Sequence, residues 1–206
     1  VDSPDTPSVI SIKDGYFWDP ALKGGLGDYW IPRGVAYQTW NAGVGQWQTR
    51  EQLLKDLDGM QKLGANSIRA DFVWGHIETG KDVYNWENYD FLLEEVAKRG
   101  IRVFPLIGYQ WPPKWFSPEL YTMHPPDAEH DQNWPSDIIG YEDPAARAEF
   151  AQFLSDVGRR YSKGGAREDL APAVGGWILG NEYGYIGLWS NKYDGYDKDS
   201  LKAFRN

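Results

Sequence analysis

The feature that most constrains this chain is a repeated alternation of short apolar segments with amphipathic helical patterns. Strand-like segments run over 31–37, 66–72, 101–109 and 175–181, and the first of them is expected to be buried. Between them, apolar residues recur at intervals of three and four, as on the buried face of a helix. Strands that alternate with helices pair in parallel and are covered by those helices. The sequence therefore predicts an α/β fold with a parallel sheet.

Local signals mark where the helices begin and end. Thr49 and Gln52 have the spacing of a capping box, and the apolar repeat that follows them ends at Gly64. Asp143 and Pro144 have the residue types of an N-cap and a first helical turn. These signals agree with the apolar pattern, so the first and third helices are predicted from two independent features.

Composition excludes several classes of function. The chain has 206 residues and a formal net charge of -9, which repels a nucleic-acid backbone and an anionic membrane surface. Its apolar segments are shorter than the roughly 18 residues that a membrane helix needs. It contains no cysteine, which excludes disulfides and thiolate metal sites. We therefore expect neither nucleic acid nor a membrane as a partner.

Cofactor motifs are missing as well. The glycine-rich stretch KGGLGDYW has no GxGxxG spacing, and the sequence contains no Walker-type Gly-Lys-Ser/Thr. His124 and His130 lie in an acidic segment without the spacing of a zinc or calcium motif, which favours a solvated loop over a metal site. The prediction is a protein without a nucleotide cofactor or a metal.

Aromatic residues are the compositional feature that points to a ligand. They make up 16% of the chain, with 11 Trp and 13 Tyr. Indole rings stack on flat amphipathic ligands such as sugars, although a large aromatic core is the alternative. Position favours the sugar, because many tryptophans follow the predicted strands, where α/β folds bind ligands. These loop tryptophans are Trp40, Trp47, Trp74, Trp111, Trp115, Trp134 and Trp189.

The segment GGWILGNEYG places an amide and a carboxylate at the end of the fourth predicted strand. Asn181 and Glu182 are adjacent there. One interpretation is a turn that the pair caps, and the other is a pair that faces a ligand. Because the other polar and aromatic candidates fall at the same edge of the sheet, the second interpretation is favoured.

Three segments together resemble a known clan of enzymes. GGWILGNEYG resembles the Trp-x-x-x-Asn-Glu segment that ends strand four in clan A of the glycoside hydrolases, which are retaining (β/α)8-barrel enzymes. NSIRADFVWGHIE resembles their second strand with its arginine, and YNWENYDFLLEEVAKRGIRVFPLIGYQWPPKWF resembles a helix and strand that end in a Pro-Pro-x-Trp turn. The order is most similar to family 42 β-galactosidases, and the resemblance runs from about residue 31 to residue 185.

This resemblance implies a fold and a domain organisation. It implies a TIM barrel of which only about the first four strands are present, with an N-terminal extension over 1–30 and the N-terminal half of the catalytic barrel over 31–206. In the clan, the nucleophilic glutamate follows strand seven, which is outside this sequence. The expectations are therefore that the chain alone is inactive and that its partner is the remaining half of the barrel.

The resemblance also implies roles for individual residues. Glu182 matches the general acid/base, and Asn181 matches the residue that binds the sugar 2-hydroxyl. Arg69 matches the arginine that keeps the nucleophile anionic, with a structural ion pair to Asp71 as the alternative. Further substrate contacts are predicted for four aromatic residues: Trp74, Tyr109, Trp111 and Trp115.

The function that follows is a retaining glycoside hydrolase, similar to a β-galactosidase, that acts on oligo- or polysaccharides with β-linked sugars. An endo-β-glucanase or mannanase of the same clan is one alternative. A carbohydrate-binding protein without catalytic activity is another, and it would use the same aromatic residues. The first residues, VDSPDTPSV, are typical of a processed chain and predict a secreted or periplasmic location.

Overall fold

The computed structural model describes residues 10–41, 46–108, 111–116, 142–180 and 198–205. Its strands are β1 Ser11–Lys13, β2 Tyr16–Asp19, β3 Asp28–Tyr29, β4 Gly34–Ala36, β5 Trp40–Asn41, β6 Gln46–Trp47, β7 Ser67–Asp71, β8 Glu78–Gly80, β9 Val83–Tyr84, β10 Arg102–Ile107 and β11 Ile178–Leu179. Its helices are α1 Leu22–Gly25, α2 Arg50–Lys62, α3 Trp74–Ile77, α4 Glu87–Lys98, α5 Pro144–Arg160 and α6 Lys198–Arg205, with a 3₁₀ helix over Glu168–Ala173.

The main sheet has four strands in the order β11-β10-β7-β4. β4 pairs in parallel with β7 through Val35 and Ile68, and β10 pairs in parallel with β11 through Leu106 and Ile178. Each predicted strand is present but shorter than its apolar segment. The α/β prediction is confirmed, and within the described residues the sheet stays open and does not close into a barrel.

Burial separates the central strands of this sheet from its edges. Ile68 in β7 and Val103 in β10 are fully buried, whereas Val35 in β4 is 41% exposed. On the other edge, Leu179 in β11 is 61% exposed. The prediction of a buried first strand was wrong, because among the described strands β4 has a neighbour, β7, on one side only.

The helix ends follow the sequence signals. Thr49 is the N-cap of α2, and its hydroxyl oxygen accepts a hydrogen bond from the Gln52 backbone N–H at 3.2 Å. The reciprocal half of the capping box is replaced, because the Gln52 side chain donates to Asp56 at 2.6 Å. Asp143 caps α5 by accepting hydrogen bonds from the next turn, at 2.8 Å from the Ala145 N–H. These caps satisfy N–H groups that have no partner within a helix.

The described contacts divide the chain into two compact units. The first contains Val1–Asp71, Glu87–Pro105 and Arg159–Trp177, and the second contains Phe72–Trp86, Leu106–Gly158 and Ile178–Asn206. Fully buried side chains in the first unit come from α2, β7, α4 and the start of β10, including Leu57, Ile68, Leu92, Val96 and Val103. The helices therefore bury their apolar faces, as the sequence pattern predicts.

A three-stranded antiparallel sheet, β1-β2-β3, forms part of the first unit. Asp19 at the end of β2 accepts a hydrogen bond from Arg102 at 2.6 Å, and the two side chains are only 6% and 11% exposed. The Trp30 ring stacks on Phe104 of β10 at 6.1 Å between centroids. This small sheet is thus fixed to β10 by a buried ion pair and by aromatic packing.

A second ion-pair cluster in the first unit lies where α5 ends. The Asp90 carboxylate of α4 accepts hydrogen bonds from Arg160 and, at 2.8 Å, from the Tyr161 hydroxyl. Arg167 adds a charge at 3.1 Å from the same carboxylate. Burial and the nearby Asp90 charge raise the pKa of Tyr161. The segment that leads toward β11 is held to α4 by this cluster.

The described part of the chain contains neither a helix that could cross a membrane nor a cluster of potential metal ligands. None of its helices has the length and apolar character needed to cross a membrane. The same residues contain no group of three or more His, Cys, Asp or Glu side chains placed to hold a metal ion.

Candidate active site

The carboxyl end of β7 carries Arg69 and Asp71. Side chains alternate along a strand, so Ser67, Arg69 and Asp71 share one face of the sheet. Ile68 and Ala70 lie on the other face and are 0% and 1% exposed. The face that carries the two charged residues is therefore the one turned away from this buried apolar layer.

Arg69 and Asp71 interact electrostatically. Burial raises the pKa of the Asp71 carboxyl, and the positive charge of Arg69 opposes that rise. This coupling agrees with the alternative in which Arg69 is a structural partner of Asp71. The role of Arg69 toward a nucleophile, which the family resemblance implies, stays a prediction.

Trp74 begins α3 immediately after β7 and is fully buried. Its ring stacks on Phe153 at 5.5 Å and contacts Phe150 and Phe116 at 5.2 and 5.5 Å between centroids. An indole with this packing offers no face to a sugar in the structure described. We therefore assign Trp74 to the aromatic core of the second unit and leave it out of the substrate contacts proposed below.

Glu78 is a buried carboxylate that the sequence analysis did not single out. It is 3% exposed and accepts hydrogen bonds from the Trp74 indole N–H at 2.6 Å and from the Asp82 backbone N–H at 3.0 Å. Burial raises the pKa of Glu78, although both hydrogen bonds oppose the rise. The i, i+4 spacing of Trp74 and Glu78 is the sequence signal from which their side-chain contact could have been predicted.

This environment predicts a pH-dependent stability. Because the pKa of Glu78 is raised on folding, protonation of Glu78 stabilises the folded state. This stabilisation is complete at pH values below the unfolded-state pKa and is lost as pH rises through the folded-state pKa. The difference in free energy of unfolding between the wild type and Glu78→Gln should therefore favour the wild type more at pH 4 than at pH 7. Urea denaturation at both pH values measures it. Glu51→Gln, at an exposed position in α2, is the control, and a difference independent of pH would contradict the prediction.

The loop after β10 carries Trp111 and Trp115, the other two tryptophans predicted to contact substrate, and it meets α3. Trp111 is 46% exposed, and its carbonyl accepts a hydrogen bond from the Gly75 N–H at 2.9 Å. The Trp115 ring contacts Phe116 at 5.4 Å, and the Lys81 ammonium lies 5.9 Å from its centroid. Within the described residues, the Trp115 indole N–H is buried without a hydrogen-bond acceptor. The loops that follow β7 and β10 therefore meet, as expected for neighbouring parallel strands.

Three predicted site residues lie outside the described residues: Tyr109, Asn181 and Glu182. The strand that precedes the last two is described. β11 ends at Leu179, and the Gly180 N–H donates to the Ile107 carbonyl at 2.6 Å. In the sequence, Asn181 and Glu182 come directly after this point, at the carboxyl end of a strand parallel to β10.

Comparison with known proteins gives a family match and related sequences. The family 42 glycoside hydrolase model, described as β-galactosidase, matches residues 44–206. β-Galactosidase BbgII of Bifidobacterium bifidum is 26% identical over 201 residues, which is 95% of this chain and 26% of that protein. β-Galactosidase Bga of Halorubrum lacusprofundi is 26% identical over 137 residues, which is 65% of this chain and 19% of that protein. The chain thus spans about a fifth to a quarter of these relatives.

Solved structures share the fold. A β-galactosidase from the psychrophilic Marinomonas ef1 has a TM-score of 0.63 and 23% identity, over 85% of this chain and 24% of that one. The exo-β-1,4-mannosidase Op5Man5 from Opitutaceae bacterium strain TAV5 has a TM-score of 0.57 and 23% identity, over 76% of this chain and 26% of that one. These similarities confirm that the open parallel sheet is part of a TIM barrel.

The family match extends from residue 44 to residue 206 and includes Arg69, the loop at Trp111 and the Asn181–Glu182 pair. It therefore covers far more than half of the chain, and the fold agrees with it. The expected resemblance is confirmed: this chain belongs to the family 42 glycoside hydrolases.

Proposed function

We propose that this chain supplies the acid/base half of the active site of a retaining β-glycosidase similar to a β-galactosidase. The observation that carries the proposal is the position of the Asn181–Glu182 pair. It directly follows β11 in the sequence and lies within the region that the family matches. Active sites of TIM-barrel enzymes are built at the carboxyl ends of the strands.

Glu182 has two roles in this mechanism. As an acid, it protonates the glycosidic oxygen while a second carboxylate, about 5–5.5 Å away, attacks the anomeric carbon. As a base, it then removes a proton from the water that hydrolyses the glycosyl-enzyme intermediate. Asn181 donates to the sugar 2-hydroxyl, a contact that strengthens as positive charge develops on the ring. Arg69 supplies positive charge that favours the anionic form of the nucleophile.

The partner in this proposal is the rest of the barrel, which carries the nucleophile after strand seven. Val35 on one edge strand of the sheet is 41% exposed, and Leu179 on the other is 61% exposed. β4 and β11 are the edge strands of the sheet among the described residues, and edge strands of this kind pair readily with further strands. The saccharide would bind at the carboxyl ends of the strands, with Trp111, Trp115 and Tyr109 as candidate contacts.

The stereochemistry of the product tests the proposal. The complete enzyme is mixed with 4-nitrophenyl β-galactoside, and proton NMR follows the anomeric signals of the released sugar. A retaining enzyme releases the β anomer first, because two displacements restore the original configuration. Release of the α anomer first would refute the double displacement and with it the double role of Glu182.

The same assay with other sugars separates the alternatives. Faster hydrolysis of an aryl β-mannoside or of a β-1,4-linked oligosaccharide would favour a mannosidase or an endo-acting enzyme. Saccharide binding without hydrolysis of any of these substrates would favour the carbohydrate-binding alternative. We expect the aryl β-galactoside to have the highest kcat/KM of the set.

A further inference from the structure

The backbone at Trp111 has an unusual conformation. Its φ is +54°, in the left-handed region that residues other than glycine rarely adopt. A residue before proline normally takes an extended conformation, and Trp111 precedes Pro112. A conformation that is unfavourable on both counts persists only where neighbouring groups hold it.

Gly75 holds it. Its backbone N–H lies in the first turn of α3, where N–H groups have no acceptor within the helix, and it donates to the Trp111 carbonyl at 2.9 Å. A Cβ atom on residue 75 would lie 2.8 Å from the Trp111 carbonyl oxygen and 2.6 Å from that of Pro112. These are backbone atoms, so a side chain at position 75 would have to displace the loop.

Buried groups surround Gly75 on both sides of this contact. The adjacent Trp74 ring is fully buried, and its indole N–H is bonded to the buried Glu78. On the loop side, Pro112 and Pro113 are also buried, whereas the Trp111 side chain is 46% exposed. A half-exposed indole on a strained, well-supported backbone is an arrangement found at ligand-binding sites.

We propose that Gly75 is a positioning residue, whose N–H and missing side chain present the Trp111 indole as a stacking platform for a pyranose ring of the substrate. The sugar part of this inference rests on the proposed function. Gly75 does not contact the sugar itself. It acts through the backbone of Trp111.

Fluorine NMR of the complete enzyme labelled with 5-fluorotryptophan tests the positioning. Trp111→Phe identifies the Trp111 resonance as the one that disappears. Gly75→Ala should shift or broaden this resonance. Gly158→Ala should leave it unchanged, because an added Cβ in α5 meets nothing within 4 Å. An unchanged Trp111 resonance in Gly75→Ala would overturn the proposal.

Titration with lactose and with β-1,4-mannobiose tests the platform. In a Glu182→Ala background, which slows hydrolysis of the sugar, at least one disaccharide should shift the Trp111 resonance with or without Gly158→Ala. Adding Gly75→Ala to this background should raise the Kd of that disaccharide about tenfold or more. If neither disaccharide shifts the resonance while the enzyme still hydrolyses aryl β-glycosides, the platform is refuted and the proposed function stands. If hydrolysis is absent and the resonance nevertheless responds to sugar and to Gly75→Ala, the proposed function fails and the platform stands.

A third comparison decides the backbone argument even if Gly75→Ala does not fold. Trp111→Gly and Trp111→Ala both remove the indole, and they differ in two opposing ways: glycine tolerates a positive φ, whereas alanine restricts the unfolded chain. Alanine normally gives the more stable protein, but glycine should give the higher Tm here. A higher Tm for Trp111→Ala would show that the left-handed conformation is not maintained, which would overturn the proposal.

Discussion

Replacing Glu182 by alanine in the complete enzyme should reduce kcat/KM about 10²–10⁴-fold for aryl β-glycosides whose leaving group is a poor one. The reduction should shrink as the leaving group becomes more acidic. A good leaving group departs without protonation, so the loss of the acid matters least for it. The resulting pattern, in which the defect depends on the leaving-group pKa, is the signature of a missing general acid.

The proposed role of Glu182 as a base predicts that an added anion restores the activity of Glu182→Ala. With an activated substrate, Glu182→Ala should accumulate the glycosyl-enzyme intermediate, because no base remains to activate water. Azide is an anion that needs no deprotonation, so added azide should restore turnover and yield a β-glycosyl azide. Steady-state rates with a series of aryl β-galactosides, with and without azide, measure both effects.

A control and a contrary outcome make this test specific. Glu51→Ala removes an exposed glutamate from α2 and should leave the kinetics unchanged. An equal loss for all leaving groups, without rescue by azide, would mean that Glu182 is not the acid/base.

Replacing Asp19 by alanine should destabilise the protein by about 3–5 kcal/mol, because it removes the carboxylate that is paired with the buried Arg102 charge. The two side chains form an ion pair at 2.6 Å and are 6% and 11% exposed. Arg102 would keep its hydrogen bond to the Pro172 carbonyl at 2.6 Å, but a neutral carbonyl does not compensate a buried guanidinium. Urea denaturation gives the change in free energy of unfolding from the midpoint and the m-value.

A matched pair of variants separates the charge from other effects. Asp28→Ala breaks an ion pair with Lys23 whose side chains are 36% and 65% exposed, and it should change the free energy of unfolding far less than Asp19→Ala, because water screens exposed charges. Asp19→Asn keeps an oxygen that can accept from the Ala21 N–H, as Asp19 does at 2.9 Å, but it removes the charge. If Asp19→Ala were no more destabilising than Asp28→Ala, the buried ion pair would not anchor the N-terminal sheet.

Helix boundaries illustrate what can be predicted from neighbouring residues. Thr49 caps α2 and Asp143 caps α5 because their side-chain oxygens reach N–H groups only two or three residues away. The apolar periodicity of α2 and α4 likewise depends on spacing within one helix. Local signals of this kind also predict that the strands pair in parallel, because a helix between two strands returns the chain to the edge of the sheet from which the first strand began.

The tryptophans illustrate what could not be predicted in this way. Trp74 and Trp111 both follow a strand, and both were predicted to contact substrate. Three phenylalanine rings, two of them nearly 80 residues further along the chain, bury Trp74, whereas Trp111, whose carbonyl accepts a hydrogen bond from Gly75, is half exposed. Whether an aromatic side chain fills a core or faces a ligand depends on residues that are distant in sequence.

The α/β class and the helix caps of this protein follow from its amino-acid sequence alone, because both depend on residue types at short, fixed spacings. Its motifs also resemble those of the family that the comparison confirms. The tertiary structure decided the burial of Trp74 and Glu78, the pairing of Asp19 with Arg102 and the contact between Gly75 and Trp111. Each of these joins groups whose distance is set by how helices pack on the sheet and how loops meet. Distances of this kind cannot be predicted from spacing along the chain. Burial and charge pairing depend on these distances, so they could not be predicted either.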